Sequence, residues 1–97
     1  MRNYFRIMQD GFNDMEFKTI QNAREDIIGE LDAIIQYSNH IRSTDNLAAQ
    51  ITTRSILHEE MVHVGELMSL LFRLDPDFKK YFDEGVKEFN DNLARNN

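Results

Sequence analysis

Residues 56–71 read ILHEEMVHVGELMSLL, and this stretch decides the fold. Its apolar side chains recur at steps of three and four residues, so the stretch is predicted to be an amphipathic helix that buries one face. The predicted core-facing seam of this helix runs through positions 49, 53, 56, 60, 63, 67 and 70. Two members of that seam, Glu60 and His63, are ionisable, and they need a physical explanation.

The helical period continues on both sides of this stretch, and Gly and Pro are scarce, at four and one. Asn13 and Glu16 have the spacing of a capping box, which marks the start of a first helix. Asp75 and Pro76 are typical of a helix start, because Asp caps and Pro is tolerated in the first turn. The expected organisation is a single domain, 1–97. It should have an N-terminal arm at 1–12 and three helices, at 13–42, 45–74 and 76–95.

The fold class is predicted to be all-α, without strands. The polar break between the first two helices is short, so these helices should form an antiparallel hairpin. The short C-terminal helix carries one apolar face, made by Phe78, Phe82, Val86, Phe89 and Leu93. One such helix cannot cover a hairpin of about 42 Å, the length of ~28 helical residues. We therefore expect two copies to dimerise into a four-helix bundle.

The first helix also has a polar residue in its apolar seam. That seam follows positions 23, 27, 30, 34, 37 and 41, and position 30 is Glu. Burying an isolated carboxylate costs several kcal/mol, so Glu30 should be paired, protonated or bound to a metal. In an antiparallel hairpin, Glu30 comes to about the same level as Glu60 and His63.

Glu60 and His63 have the spacing that metal ligation on a helix requires, because residues at i and i+3 share a face. Ferritin-like di-iron and di-manganese bundles take one Glu from each of two helices and Glu-x-x-His from each of the other two. Glu-x-x-His by itself is a common pattern. Here it is accompanied by Glu30 on the apolar face of the preceding helix, and this combination is more specific. A buried, hydrogen-bonded Glu–His pair and a plain surface cluster are the alternatives.

The number of ligands predicts a dimer as well. This chain has one helix with a lone Glu and one helix with Glu-x-x-His, which is half of the di-iron set. Two copies related by a two-fold axis would supply the other half. We assign the bridging role to Glu60, because it lies one turn from His63 and close to the expected axis.

Other residues near these positions have simpler interpretations. The string HEEMVH at 58–63 is not a zincin His-Glu-x-x-His motif, because position 62 is Val. His40 and His58 fall off the seam and should be surface residues. Tyr37 lies two turns after Glu30, so its hydroxyl is expected to bond a ligand carboxylate, although a plain core tyrosine is an alternative.

Composition excludes several classes of function. The net charge of −6 and pI of about 4.9 argue against nucleic-acid binding, which needs a basic face. The absence of Cys excludes disulfides, thiolate zinc sites and iron–sulfur clusters. No apolar run approaches the ~20 residues of a membrane span, and Met1–Asp10 has no signal-peptide core. We expect a cytoplasmic protein.

Longer segments resemble a known family. The stretches ELDAI at 30–34, EEMVHVGE at 59–66 and LLFRLDP at 70–76, together with Tyr37, resemble the encapsulated ferritins, which are cargo proteins or fused domains of encapsulin nanocompartments. The resemblance covers roughly residues 17–78. The first ligand Glu and the Glu-x-x-His pair have the separation found in that family.

The resemblance implies a ferroxidase that oxidises Fe(II) to Fe(III) for iron storage inside an encapsulin shell, at a di-iron centre shared by two subunits. It implies that Glu30, Glu60 and His63 are the catalytic residues and iron ligands, with Tyr37 in contact with them. It also implies a decameric ring of five dimers. Family members can carry acidic residues beside the first ligand Glu as an outer metal site; here Gly29 precedes Glu30 and only Asp32 remains.

Carboxylates with one imidazole per metal suit Fe(II) and Mn(II). Manganese oxidation and peroxide reduction are therefore alternatives within the same fold. A non-catalytic helical dimer that holds a structural or sensory metal, such as zinc, is the alternative from another class.

Overall fold

The computed structural model of the protein describes residues 11–96, and within them it contains three α-helices and no strand. The helices are α1 (Asp14–Ser43), α2 (Leu47–Leu74) and α3 (Pro76–Arg95). The prediction of an all-α fold is confirmed. The expected N-terminal arm at 1–12 falls mainly on residues 1–10, which lie outside the described part of the chain.

Helix α2 begins two residues later than expected, at Leu47, because Asn46 provides the cap. The Asn46 side chain accepts a hydrogen bond from the backbone N–H of Ala49, at 2.9 Å. The hydroxyl of Thr44 in turn accepts from the Asn46 N–H, at 3.2 Å. Asx caps satisfy backbone donors at a helix start, and the side chains of Thr44 and Asn46 each accept a backbone N–H here, which stabilises the tight turn of the hairpin.

The face of α2 that packs against α1 differs from the predicted seam. Leu57 and Leu71 are buried and Val64 is half-buried, whereas the predicted seam residues Ile56 and Leu70 are 36% and 44% exposed. Successive residues are 100° apart around a helix, so the predicted seam is centred on the edge of the packed face. The packed face differs from the predicted seam because α2 is apolar on more than one side.

The buried core of a single chain is small and lies at the α3 end of the hairpin. Ile20, Ala23 and Leu71 form it. Most other large apolar side chains of residues 11–96 are exposed, including Ile28, Leu31, Ile35, Ile51, Met61 and Val62. One hairpin therefore leaves much apolar surface uncovered.

Asp75 joins α2 to α3. Its backbone N–H donates to the carbonyl oxygen of Leu71 at 2.8 Å, and its side chain accepts from the N–H of Phe78 at 3.1 Å. The guanidinium of Arg24 on α1 donates to the other carboxylate oxygen at 3.2 Å. After Phe78, every residue of α3 is exposed. No described helix is long and apolar enough to cross a membrane.

Candidate metal centre

The antiparallel hairpin brings the three predicted ligands together. Glu30 projects from the middle of α1, and Glu60 and His63 project from the facing part of α2. The Nδ1 atom of His63 is 3.5 Å from Oε1 of Glu30 and 3.7 Å from Oε2 of Glu60. One ligand atom from each residue lies within 4.8 Å of the other two. The arrangement has the donors and the separation that a single metal ion requires.

The carboxylates are mostly buried, and one of their oxygens lacks a partner. The side chains of Glu30 and Glu60 are 22% and 19% exposed. The Oε2 atom of Glu30 is buried and has no hydrogen-bond partner. A buried polar atom without a partner is costly, and a cation would satisfy it. The donor set therefore fits a divalent metal.

The distances do not favour the alternative of a hydrogen-bonded Glu–His pair. A charge-assisted N–H···O bond has its heavy atoms about 2.7–2.9 Å apart. The His63 nitrogen is 3.5 Å or more from both Glu30 and Glu60. The three groups thus approach one another without bonding directly, which leaves space between them.

His63 is more exposed than we expected, since the predicted seam was meant to face the core. Its side chain is 47% exposed. Ile56 and Leu70 lie seven residues before and after it, which is two helical turns, so all three share one side of α2. All three are exposed. The open side of the cluster is therefore flanked by uncovered apolar residues.

Two grooves adjoin the cluster, and neither was predicted from the sequence. The first is lined by Glu25, Asp26, Gly29, Glu30, Glu60 and Leu67. The second is lined by Glu30, His63, Glu66 and Leu67. The four-residue steps from Glu25 to Gly29 and from Asp26 to Glu30 were a usable signal, because such residues are neighbours on a helix surface.

The other candidates lie away from the three ligands. Tyr37 is half-buried and its ring packs edge-to-face on His40, with centroids 6.1 Å apart. Within the described residues, no hydrogen bond joins the Tyr37 hydroxyl to Glu30, Glu60 or His63, so that expectation remains a hypothesis. Asp32 is exposed and two residues from Glu30, a rotation of about 200° around α1. His40 and His58 are exposed and outside the cluster.

Comparisons with known proteins identify relatives of the chain. No family model matches the chain. An encapsulin nanocompartment cargo protein of Myxococcus xanthus is 35% identical over 69 residues, which are 71% of this chain and 53% of that protein. A ferritin-like–encapsulin shell fusion protein of Pyrococcus furiosus is 37% identical over 62 residues, 64% of this chain and 18% of the fusion. The chain thus matches about half of the first relative and under a fifth of the second.

A solved structure gives the strongest comparison. The crystal structure of the encapsulated ferritin domain from Pyrococcus furiosus has a TM-score of 0.76 to this chain and is 32% identical to it. The match covers 78% of each chain. The resemblance drawn from the sequence is confirmed: this chain belongs to the encapsulated ferritin family.

Proposed function

We propose that the protein is a ferroxidase that oxidises Fe(II) to Fe(III) with O₂, at a two-iron centre shared between two copies of the chain. The convergence of Glu30, Glu60 and His63 carries this proposal, since one donor atom from each lies within 4.8 Å of the others. The unpartnered buried oxygen of Glu30 supports a cation between them.

The half-set of ligands supports sharing between subunits. A ferritin-like centre takes its ligands from four helices, and one chain supplies two. The open side of the cluster, where His63 is 47% exposed, is flanked by the exposed apolar residues Ile56 and Leu70. A second copy related by a two-fold axis would cover these residues and add its own Glu30, Glu60 and His63.

Each residue has a distinct role in this proposal. Iron supplies the redox chemistry, because each Fe(II) gives up one electron. Glu30 and Glu60 would hold the ions and balance their positive charge, with Glu60 in the bridging role. His63 would supply the imidazole ligand. The partly buried carboxylates act in a low dielectric, where their attraction for a cation is stronger than in water.

The proposed destination of the product is an encapsulin compartment. The relatives in Myxococcus xanthus and Pyrococcus furiosus are named as an encapsulin cargo and a fusion to an encapsulin shell. We infer that this chain also works with an encapsulin shell protein, inside which the oxidised iron is stored.

An aerobic oxidation assay tests the proposed activity. Purified protein should oxidise added Fe(II) faster than buffer alone, and Glu60→Ala should remove that acceleration. His58→Ala is the matched control, because His58 is exposed on the same helix and lies outside the cluster. Equal rates for wild type and Glu60→Ala would overturn the proposal.

A further inference from the structure

The second groove beside the cluster contains a carboxylate to which the proposed function assigns no role. The groove is lined by Glu30, His63, Glu66 and Leu67. Glu30 and His63 belong to the group whose ligand atoms lie within 4.8 Å of one another, and Glu66 does not. Glu66 is exposed, and among residues 11–96 nothing donates a hydrogen bond to its side chain or forms an ion pair with it. Its carboxylate is therefore available to a neighbouring donor.

Glu66 lies on the same row of α2 as two of the proposed ligands. Glu60, His63 and Glu66 follow one another at steps of three residues, so each is a neighbour of the next on the helix surface. Side chains in an α-helix lean towards its N-terminus, over the residue three or four places earlier. His63 follows this rule, since its Nδ1 atom lies 3.7 Å from Oε2 of Glu60. Glu66 is placed to reach back over His63 in the same way.

The two ring nitrogens of His63 have different surroundings. Nδ1 lies 3.5 Å from Glu30 and 3.7 Å from Glu60, so it is the nitrogen that faces the proposed metal position. A neutral imidazole that binds a metal through Nδ1 carries its proton on Nε2. Ligating histidines almost always donate this second N–H to a carboxylate, a backbone carbonyl or water. Carbonyl groups in the middle of a helix already accept the helical N–H groups, so Glu66 is the favoured protein acceptor in this groove.

We propose that Glu66 accepts a hydrogen bond from the Nε2–H group of His63 when a metal ion binds at Nδ1. The bond holds the ring in the orientation that ligation requires and raises the basicity of the ligating nitrogen. Glu66 is thus a positioning residue and not a ligand. The inference rests on the proposed metal centre, to which it adds a fourth residue of this chain.

Metal affinity tests this role without any oxidation step. Each variant is titrated with Co(II) under argon, and the absorbance gives both the dissociation constant and the number of ions bound. Glu66→Ala should weaken binding about 10- to 100-fold, the usual loss when a group behind a ligating histidine is removed. The number of Co(II) ions bound at saturation should stay unchanged, because every ligand is still present. Wild-type affinity in Glu66→Ala would overturn the proposal.

Two further variants separate a hydrogen bond from a general effect of charge. Glu66→Gln removes the charge and keeps an acceptor oxygen, so it should recover most of the affinity that Glu66→Ala loses. Glu59→Ala is the matched control, because Glu59 is exposed and only four residues from His63 but does not line the groove. It removes the same charge and should bind Co(II) as wild type does. Equal losses in Glu59→Ala and Glu66→Ala would mean that only the negative charge near His63 matters.

The proton on Nε2 provides a direct spectroscopic signature. In the proton NMR spectrum of the Co(II)-loaded protein, the paramagnetic ion shifts the ring N–H of a ligating histidine far outside the normal range. This signal disappears in D₂O as the proton exchanges. Exchange should be slow in wild type and in Glu66→Gln, where the N–H is hydrogen-bonded, and faster in Glu66→Ala. Equal exchange rates in wild type and Glu66→Ala would contradict the bond.

The two proposals fail in different ways. If wild type binds no Co(II), or if His63→Ala binds it as tightly as wild type does, the metal centre itself is wrong. If binding depends on His63 and Glu66→Ala keeps the wild-type affinity, the centre stands and the positioning role is wrong. If Glu66→Ala binds fewer Co(II) ions at saturation, Glu66 is a ligand and the positioning role is again wrong.

Discussion

At the scale of single residues, Glu30 is the most informative side chain. Its Oε2 atom is buried without a hydrogen-bond partner, and its other oxygen, Oε1, lies 3.5 Å from Nδ1 of His63. Such an atom weakens the metal-free fold, and the loss is recovered only when a cation binds. The Glu30 carboxylate is therefore expected to lower the stability of the metal-free fold and to be required for metal binding.

Replacing Glu30 with Leu should separate the two demands. We expect the metal-free protein to be more stable by about 1–3 kcal/mol, because an apolar side chain removes the unsatisfied carboxylate. The same variant should lose Fe(II) oxidation, because each metal loses an anionic ligand. Thermal unfolding of the metal-free protein, paired with oxygen consumption on adding Fe(II), measures both effects.

Gln36→Leu is the control for Glu30→Leu, since Gln36 is exposed on the same helix and outside the group of Glu30, Glu60 and His63. It should leave oxidation unchanged. An active Glu30→Leu variant would remove Glu30 from the centre, and most of the case for a metal site with it.

His63 should be the one histidine of the three that affects metal binding. Loss of a residue that merely supports a ligand lowers metal affinity about 10- to 100-fold, so His63→Ala should lower it at least that much. His40→Ala and His58→Ala should have little effect, because both residues are exposed and outside the cluster. Titration of each variant with Fe(II) under argon measures the affinities; equal losses in all three would mean that the ligand assignment is wrong.

At the scale of helices, Asp75 is the residue whose loss should do most damage away from the metal centre. Its carboxylate caps α3 through the Phe78 N–H and pairs with Arg24 of α1, while being only 9% exposed. Loss of an N-cap costs about 0.5–2 kcal/mol, and Arg24 would also lose its partner. Asp75→Ala should therefore lower the free energy of unfolding by about 2 kcal/mol, measured with urea.

The exposed ion pair between Lys79 and Asp83 provides the comparison for Asp75→Ala. Its side chains are 52% and 59% exposed, and exposed pairs contribute at most about 1 kcal/mol. Asp83→Ala should thus change stability by less than Asp75→Ala does. Equal losses of stability in the two variants would mean that the Asp75 contacts with Phe78 and Arg24 contribute no more than an exposed ion pair.

Local sequence signals predicted the helices well. The capping box of Asn13 and Glu16 forms, with a 2.8 Å bond from the Glu16 N–H. These signals depend on residues three or four apart, so they can be read without the fold. The rotation of α2 was predicted less well, because its apolar residues serve both the hairpin interior and surfaces that a single chain leaves open, and the sequence does not distinguish the two.

The same limit applies to the metal centre. The spacing of Glu60 and His63 predicted that they converge with Glu30, and the structure brings these three together. The exposure of His63 depends on how the helices are rotated against each other, which a spacing pattern does not show.

At the scale of the whole molecule, the chain has a small buried core for its length. Four apolar residues are buried among residues 11–96, namely Ile20, Ala23, Leu57 and Leu71. Small domains are already hard to stabilise, because their surface is large relative to their volume. Exposed apolar residues also flank the group of Glu30, Glu60 and His63. We therefore expect the association of two chains and the binding of metal to depend on the same surface.

Leu70 gives a direct test of that surface. It is 44% exposed and lies two turns from His63, so Leu70→Lys should leave the hairpin intact. Two lysines brought together at a two-fold interface would repel each other, and the dimer and any larger ring should dissociate. Sedimentation should show a smaller species with wild-type helicity by circular dichroism, and Fe(II) oxidation should be lost because each chain holds half of the ligands. His58→Lys adds the same charge at an exposed position about 140° around α2 from His63 and should assemble normally. A Leu70→Lys monomer that still oxidised iron at the wild-type rate would show that one chain forms a complete centre, and the shared site would have to be abandoned.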